Sequence, residues 1–242
     1  MIFRSLPLLF SDPAAFFVII AAFAVSIMLG LIFHEYCHGW VANRLGDPTA
    51  RLMGRLTLNP LAHYDPIGTT LIFFAGFGWA KPVPVNPNYT ANPKRSMLLI
   101  ALAGPASNLL VAALAALPIR LGFVPEHFLG VSNPDVWWPV WLGSSVDLAG
   151  LFLRTVFTLN VVLAVFNLIP IPPLDGSKVL MGLLPDDLAR QYQRLEPWGM
   201  GLLMLLVFAP TFTGGSFGLG IVMDPVVRFF DALLLGDPGG LG

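Results

Sequence analysis

His34, Glu35 and His38 lie in the segment 31–40, Leu-Ile-Phe-His-Glu-Tyr-Cys-His-Gly-Trp, where a cluster of ionisable groups ends an apolar run that starts near Pro13. On a helix, residues four apart sit roughly 6 Å apart along the axis and about 40° apart around it, so both imidazoles can reach one metal ion. Glu35 then flanks that ion, placed to work on its water. This is the spacing of a zinc hydrolase, with the glutamate as general base. Two imidazoles and a carboxylate at membrane depth are costly to bury, which favours a functional over a decorative reading.

Two histidines leave a catalytic zinc site incomplete, because such sites generally use three protein ligands and one open position. The remaining glutamates, Glu126 and Glu196, fall in predicted loops, whereas Asp175 sits in Asn-Leu-Ile-Pro-Ile-Pro-Pro-Leu-Asp-Gly, residues 167–176, at the end of a predicted span. Three prolines withhold backbone donors and break the helix there, and Gly176 permits a tight turn, so the carboxylate can be aimed at a metal. Asp175 equally suits the N-cap of the helix that runs on through Ser177 and Lys178 to Leu184. Cys37, the sole cysteine, reads as a small packing residue, with a metal-facing position as the alternative.

The elements that must position these groups are membrane helices. Of 242 residues, 56% are hydrophobic and 11% charged, with a mean hydropathy of +0.76; soluble domains carry roughly 25% charged residues. A formal net charge of −1 without a basic tail argues against a nucleic-acid partner. Four uncharged stretches are long enough to cross a bilayer, which takes roughly 20 residues: Pro13 to Phe33, Ser96 to Ile119, Thr155 to Leu174 and Pro197 to Met223. The last contains Pro210, Gly214 and Gly215 and reads as one broken helix or two short ones. Pro225 to Leu235, with Arg228 and Asp231, suits an amphipathic interfacial helix or a packed one. The first span reads as uncleaved, since Arg4 and the apolar run are followed by no small-residue cleavage site.

The region from Arg44 to Arg95 is rich in Gly, Pro and Asn, and its uncharged piece, Pro66 to Ala80, is too short for a comfortable crossing. A re-entrant or β-hairpin excursion is expected. Arg44, Arg51, Arg55, Lys81, Lys94 and Arg95, together with Lys178, Arg190 and Arg194, mark the first and third connections as cytoplasmic by the positive-inside rule. Glu126, Asp135 and Asp147 mark the second as external. Its His127, Trp137, Trp138 and Trp141 read as interface residues outside the site. The expected fold is an α-helical polytopic membrane protein of about four to six transmembrane helices. It forms one membrane-embedded domain over residues 1–242, with a core about 14–184 and C-terminal helices about 197–235.

At this point a family resemblance becomes visible. His-Glu-Tyr-Cys-His in an apolar helix, Gly104-Pro105-Ala106-Ser107-Asn108 in the next full span and the Asn-Leu-Ile-Pro-Ile-Pro-Pro-Leu-Asp-Gly run resemble the site-2 proteases, intramembrane zinc metalloproteases. Residues 59–69 and 78–87 are similar to segments of compact prokaryotic members, and no PDZ insertion or appended nucleotide-sensing domain is recognisable. The resemblance spans most of Leu31 to Leu180. It implies one Zn²⁺ per chain held by His34, His38 and Asp175, Glu35 as the catalytic glutamate, and transmembrane proteins as substrates within the lipid bilayer. It also implies three core membrane helices with an intervening hairpin or strand region.

A developing oxyanion would need a further donor. Asn108 is the first candidate, with an interhelical hydrogen bond as its other reading, and His63 the second, with a backbone-bonded loop histidine as the alternative. An unwound substrate helix needs partners for its amides, and residues 50–58 or 71–85 could supply a strand edge or simply cover the site. A membrane peptidase acting on prenylated termini and a metal transporter are the competing readings. The first usually wants a second intramembrane glutamate, and the second wants polar groups staggered across the membrane.

Overall fold

The computed structural model describes residues 9–10, 13–75, 78–124, 130–131, 140–141, 148–213 and 220–236. Three of its helices are long and apolar enough to span a membrane: α1 (Pro13–Arg44), with the spanning part Ile19–Arg44; α5 (Pro93–Arg120); and α6 (Leu148–Asn167), with the spanning part Ala149–Asn167. Between α1 and α5 come three shorter helices, α2 (Thr49–Leu52), α3 (Pro60–His63) and α4 (Pro66–Ala75), and a 3₁₀ turn at Pro87–Tyr89. After α6 come α7 (Asp175–Leu183), α8 (Asp186–Gln193), α9 (Glu196–Thr213), α10 (Gly220–Phe230) and a π-helical turn at Asp231–Leu235. A two-residue antiparallel pair, β1 (Gly130–Val131) with β2 (Val140–Trp141), lies between α5 and α6.

Local signals explain the helix ends. α1 stops at Arg44, whose guanidinium lies 4.9 Å from the Trp40 ring centroid, and the chain then turns at Gly46, with φ at 108°. Left-handed backbone of that kind suits glycine. Asp47, fully buried, follows; its carboxylate accepts from Thr49 N–H at 2.9 Å, from the Thr49 hydroxyl, and from Asn86 N–H at 2.6 Å. One side chain thus ties the end of α1 to the chain entering α5. α5 opens with Asn92 accepting from Arg95 N–H at 3.0 Å and Pro93 in the first helical position, where its missing N–H costs nothing.

α1, α5 and α6 pack together. Small residues on α5 (Ala112, Ala115, Ala116) meet Phe157 and Val161 of α6, with Met223 and Leu235 closing the cluster from the C-terminal elements. Such small side chains let membrane helices approach closely. A second cluster joins Phe23 and Ile27 of α1 to Leu159 of α6 and Ile72 of α4, so the short helix packs Ile72 against two spans. Phe17, Met28, Leu110 and Leu114 remain exposed on the outer faces, as side chains that meet lipid would be.

The excursion between the first two spans is helical. Among the described residues of 45–92 no hairpin ladder forms; α4 is followed by residues 78–86, which return without regular secondary structure and are held by Lys81 N–H to the His63 carbonyl at 2.9 Å. A ten-residue helix satisfies its own backbone, which a lone hairpin in lipid cannot do at its edges. The third expected span ends early, at Asn167, because residues 168–174 carry three prolines. The fourth is divided into α9 and α10, with residues 214–219 outside the described set. Asp231 pairs with Arg154 of α6 at 3.0 Å and Arg120 Nη1 donates to the Leu233 carbonyl at 2.7 Å, so the 225–235 segment is packed against the spans. Glu126, His127, Trp137 and Trp138 fall outside the described residues, as does the side chain of Trp141.

Candidate metal centre

α1 and the first residue of α7 bring three ligand atoms to one point. Nε2 of His34, Nε2 of His38 and Oδ2 of Asp175 form a triangle with sides of 2.9, 3.0 and 3.1 Å, and all three residues are buried. Among the described residues this is the group of His, Cys, Asp and Glu side chains able to hold one metal ion. Lys178, one turn along α7, adds its ammonium 3.3 Å from Oδ1.

The outer edges of both imidazoles are fixed by a chain of hydrogen bonds whose directions can be deduced. Asn160 Nδ2 donates to the Val156 carbonyl at 2.8 Å, so its Oδ1 faces Asn108. Asn108, fully buried, directs Nδ2 at that oxygen and at the Gly30 carbonyl, both at 3.0 Å, leaving its own Oδ1 to accept from His34 Nδ1 at 2.7 Å. His38 Nδ1 donates to the Ile100 carbonyl at 2.6 Å. Each neutral ring therefore carries its proton on Nδ1 and turns a lone pair inward. Two lone pairs and a carboxylate oxygen crowded around one point repel one another unless a cation lies among them. Ligands of a tetrahedral zinc ion would stand about 3.3 Å apart, within a few tenths of an ångström of the observed triangle. The residues present fit that ion.

α5 makes room for the cluster at Gly104. A Cβ there would lie 2.4 Å from His38 Nε2 and 2.6 Å from His34 Nε2, so only glycine lets this span pass the ligand atoms so closely. Glu35, half-buried, accepts from the Val83 N–H at 2.7 Å, which places the returning run against its carboxylate. His63 lies elsewhere in the network: it is buried, with Nε2 bonded to the Thr57 carbonyl at 2.8 Å. This is its backbone-bonded reading. Asn108 takes the interhelical role, and because both its amide hydrogens are engaged by protein acceptors it has no donor to offer an oxyanion.

Asn160, Gly104 in its steric role and the Val83 amide were not singled out from sequence. Asn160 carried a signal, since a carboxamide within an apolar span is expensive unless paired. A backbone N–H carries none. The His34 network makes a prediction: Asn108→Ala should weaken metal affinity by roughly 10- to 100-fold, the usual cost of removing a ligand's outer hydrogen bond, when measured by chelator competition. Unchanged affinity would mean that His34 holds its tautomer without Asn108.

The family model described as "Peptidase family M50" matches residues 22–131 and 142–209. The chain is 33% identical over 216 residues to "Putative zinc metalloprotease YwhC" of Bacillus subtilis, covering 86% of this chain and 90% of that one. It is 31% identical over 210 residues to "Putative zinc metalloprotease Rip2" of Mycobacterium tuberculosis, covering 84% and 71% respectively. "Putative zinc metalloprotease MJ0611" of Methanocaldococcus jannaschii is 30% identical over 175 residues, 71% of this chain and 75% of that protein. No solved structure matches the chain. With a family match over more than half its length and its long apolar helices, the chain is a multi-pass membrane protein that belongs to peptidase family M50, the site-2 protease family its ordered motifs resemble.

Proposed function

We propose that the chain is an intramembrane zinc endopeptidase that hydrolyses peptide bonds within or near transmembrane segments of other membrane proteins. The observation that carries this reading is the convergence of ligand atoms from His34, His38 and Asp175 on one point, with Glu35 next to His34 in the chain. His34, His38 and Asp175 would hold the ion. Zinc, when bound, supplies Lewis acidity that lowers the pKa of water toward about 7 and polarises a carbonyl.

The chain's own groups do the rest. Glu35 takes the proton from the attacking water and delivers it to the leaving amine. The Val83 N–H fixes the direction of the Glu35 carboxylate, which retains enough lone pairs to accept the proton. Asn108 acts as a positioning residue for His34. Residues 81–86 pass beside the carboxylate with prolines at 82 and 84 and with the N–H groups of Lys81, Val83 and Asn86 already engaged, so this run covers the site and does not serve as a strand edge for substrate. The basic residues of the first and third connections set the site toward the cytoplasm. Polar groups gathered at one depth disfavour a transport path, and Glu35 provides what a mere binding protein would not need.

Incubating the purified protein with a model transmembrane substrate, with and without chelator, tests the reading. Cleavage that stops on chelation and returns with zinc is expected; cleavage unaffected by chelation would refute it. Val83→Pro, which deletes the amide hydrogen, should lower the cleavage rate about 10- to 100-fold, as expected for a hydrogen bond to a charged group worth roughly 1.5–3 kcal/mol. Val83→Ala keeps that hydrogen and should stay within a few-fold of the parent. Equal rates for the two variants would remove the amide from the mechanism.

A further inference from the structure

Asp175 is delivered by a segment with little internal support. Residues 168–174 hold prolines at 170, 172 and 173, so three of seven positions have no N–H to donate. Two internal bonds remain, Ile171 N–H to the Ile169 carbonyl at 2.8 Å and Leu174 N–H to the Ile171 carbonyl at 2.9 Å. On the inner side the chain folds back on itself at Gly176, where a Cβ would lie 2.2 Å from the Leu168 carbonyl oxygen.

The outer side is held by the C-terminal elements. The Tyr192 hydroxyl, near the end of α8, donates to the Pro170 carbonyl at 2.7 Å. Gly199, buried in the first turn of α9, lies so close to the loop that a Cβ would stand 2.2 Å from the Pro172 carbonyl oxygen and 2.5 Å from Pro172 Cβ. The elbow between α8 and α9 thus grips two carbonyl-bearing residues, three and five positions before the ligand. A metal ligand tolerates little displacement, on the order of 0.5 Å, before the site loosens.

We propose that the α8–α9 elbow is a clamp that sets the position of Asp175, with Tyr192 and Gly199 as positioning residues for the metal centre. The elbow touches no ligand atom and acts through the loop backbone. C-terminal helices that would otherwise serve only as membrane packing thereby govern how firmly the ion is held. This inference rests on the metal-centre reading above.

The test uses the full chain, with metal affinity measured by competition with a chromophoric chelator and ligand geometry by the visible spectrum of the Co²⁺-loaded protein. Tyr192→Phe removes one hydroxyl and should weaken affinity roughly 10-fold with a shifted Co²⁺ spectrum, in line with outer hydrogen bonds at metal sites. Gly199→Ala should weaken it further. Gln191→Ala, an exposed change on α8, should match the parent in both measurements. Parent-like affinity and spectrum in Tyr192→Phe would overturn the clamp while leaving the metal centre intact, and this variant decides the matter alone if Gly199→Ala does not fold. A parent protein that binds no metal would instead refute the reading on which the clamp depends.

Discussion

Glu35→Gln should cut cleavage of a transmembrane substrate by about 10²- to 10⁴-fold, the range typical of general acid–base catalysis, while zinc affinity stays within a few-fold of the parent. The argument is one of separation. Glu35 contributes no atom to the triangle of His34, His38 and Asp175, whose nearest approaches are among themselves. Its observed partner is the Val83 amide. Glutamine keeps the side-chain length and can still accept from that N–H through its carbonyl oxygen, so the run around Val83 should remain in place. The amide cannot take up a proton from water at neutral pH. Cleavage within threefold of the parent would assign the base to another group, and loss of zinc together with activity would place Glu35 among the ligands.

Gly104→Ala is expected to cost about 100-fold or more in metal affinity, because it displaces two ligands at once, whereas losing a single outer hydrogen bond to one ligand already costs roughly 10- to 100-fold. The added methyl carbon would sit 2.4 to 2.6 Å from ligand-bearing atoms of both histidines, far inside van der Waals contact. The imidazoles cannot retreat freely. Their outer nitrogens are held by Asn108 and by the Ile100 carbonyl, so moving a ring breaks a bond to a buried acceptor. Helix stability should move the other way, since alanine is favoured over glycine in a helix interior by roughly 1 kcal/mol. The expected signature is a helical, correctly inserted protein with an impaired metal centre, read by circular dichroism and chelator competition on the same sample. Unimpaired binding would mean that α5 can slide away from the cluster at little cost.

Much of this arrangement could be read before any coordinates. A spacing of four puts His34 and His38 on one face whatever surrounds the helix, and uncharged stretches long enough to cross a bilayer locate α1, α5 and α6. The aspartate after a proline-rich break stood out because few other carboxylates were available at that depth. Other features resisted, for physical reasons. The excursion between α1 and α5 has no sustained hydrophobic period, so its Gly-rich composition pointed to a re-entrant or hairpin excursion and did not reveal the helix α4. Asn108 offered two roles, and only the orientation of its amide, fixed through Asn160 and the Gly30 carbonyl, separates them. The contacts of Val83 and Pro172 are made by backbone atoms, which every residue possesses and no residue type announces. The hold of Tyr192 and Gly199 on the Asp175 loop joins residues 20 to 30 positions apart through shape, and side-chain identity encodes that weakly.

The joint grip of α1 and α7 on one ion is the claim from which the rest follows, and metal content per chain addresses it most directly. Purified parent protein and Asp175→Ala, each equilibrated with zinc and freed of excess, should be measured by elemental analysis against protein concentration. One zinc per chain in the parent and well under one in the variant is the predicted result; a variant that retains a full equivalent at parental affinity would contradict it.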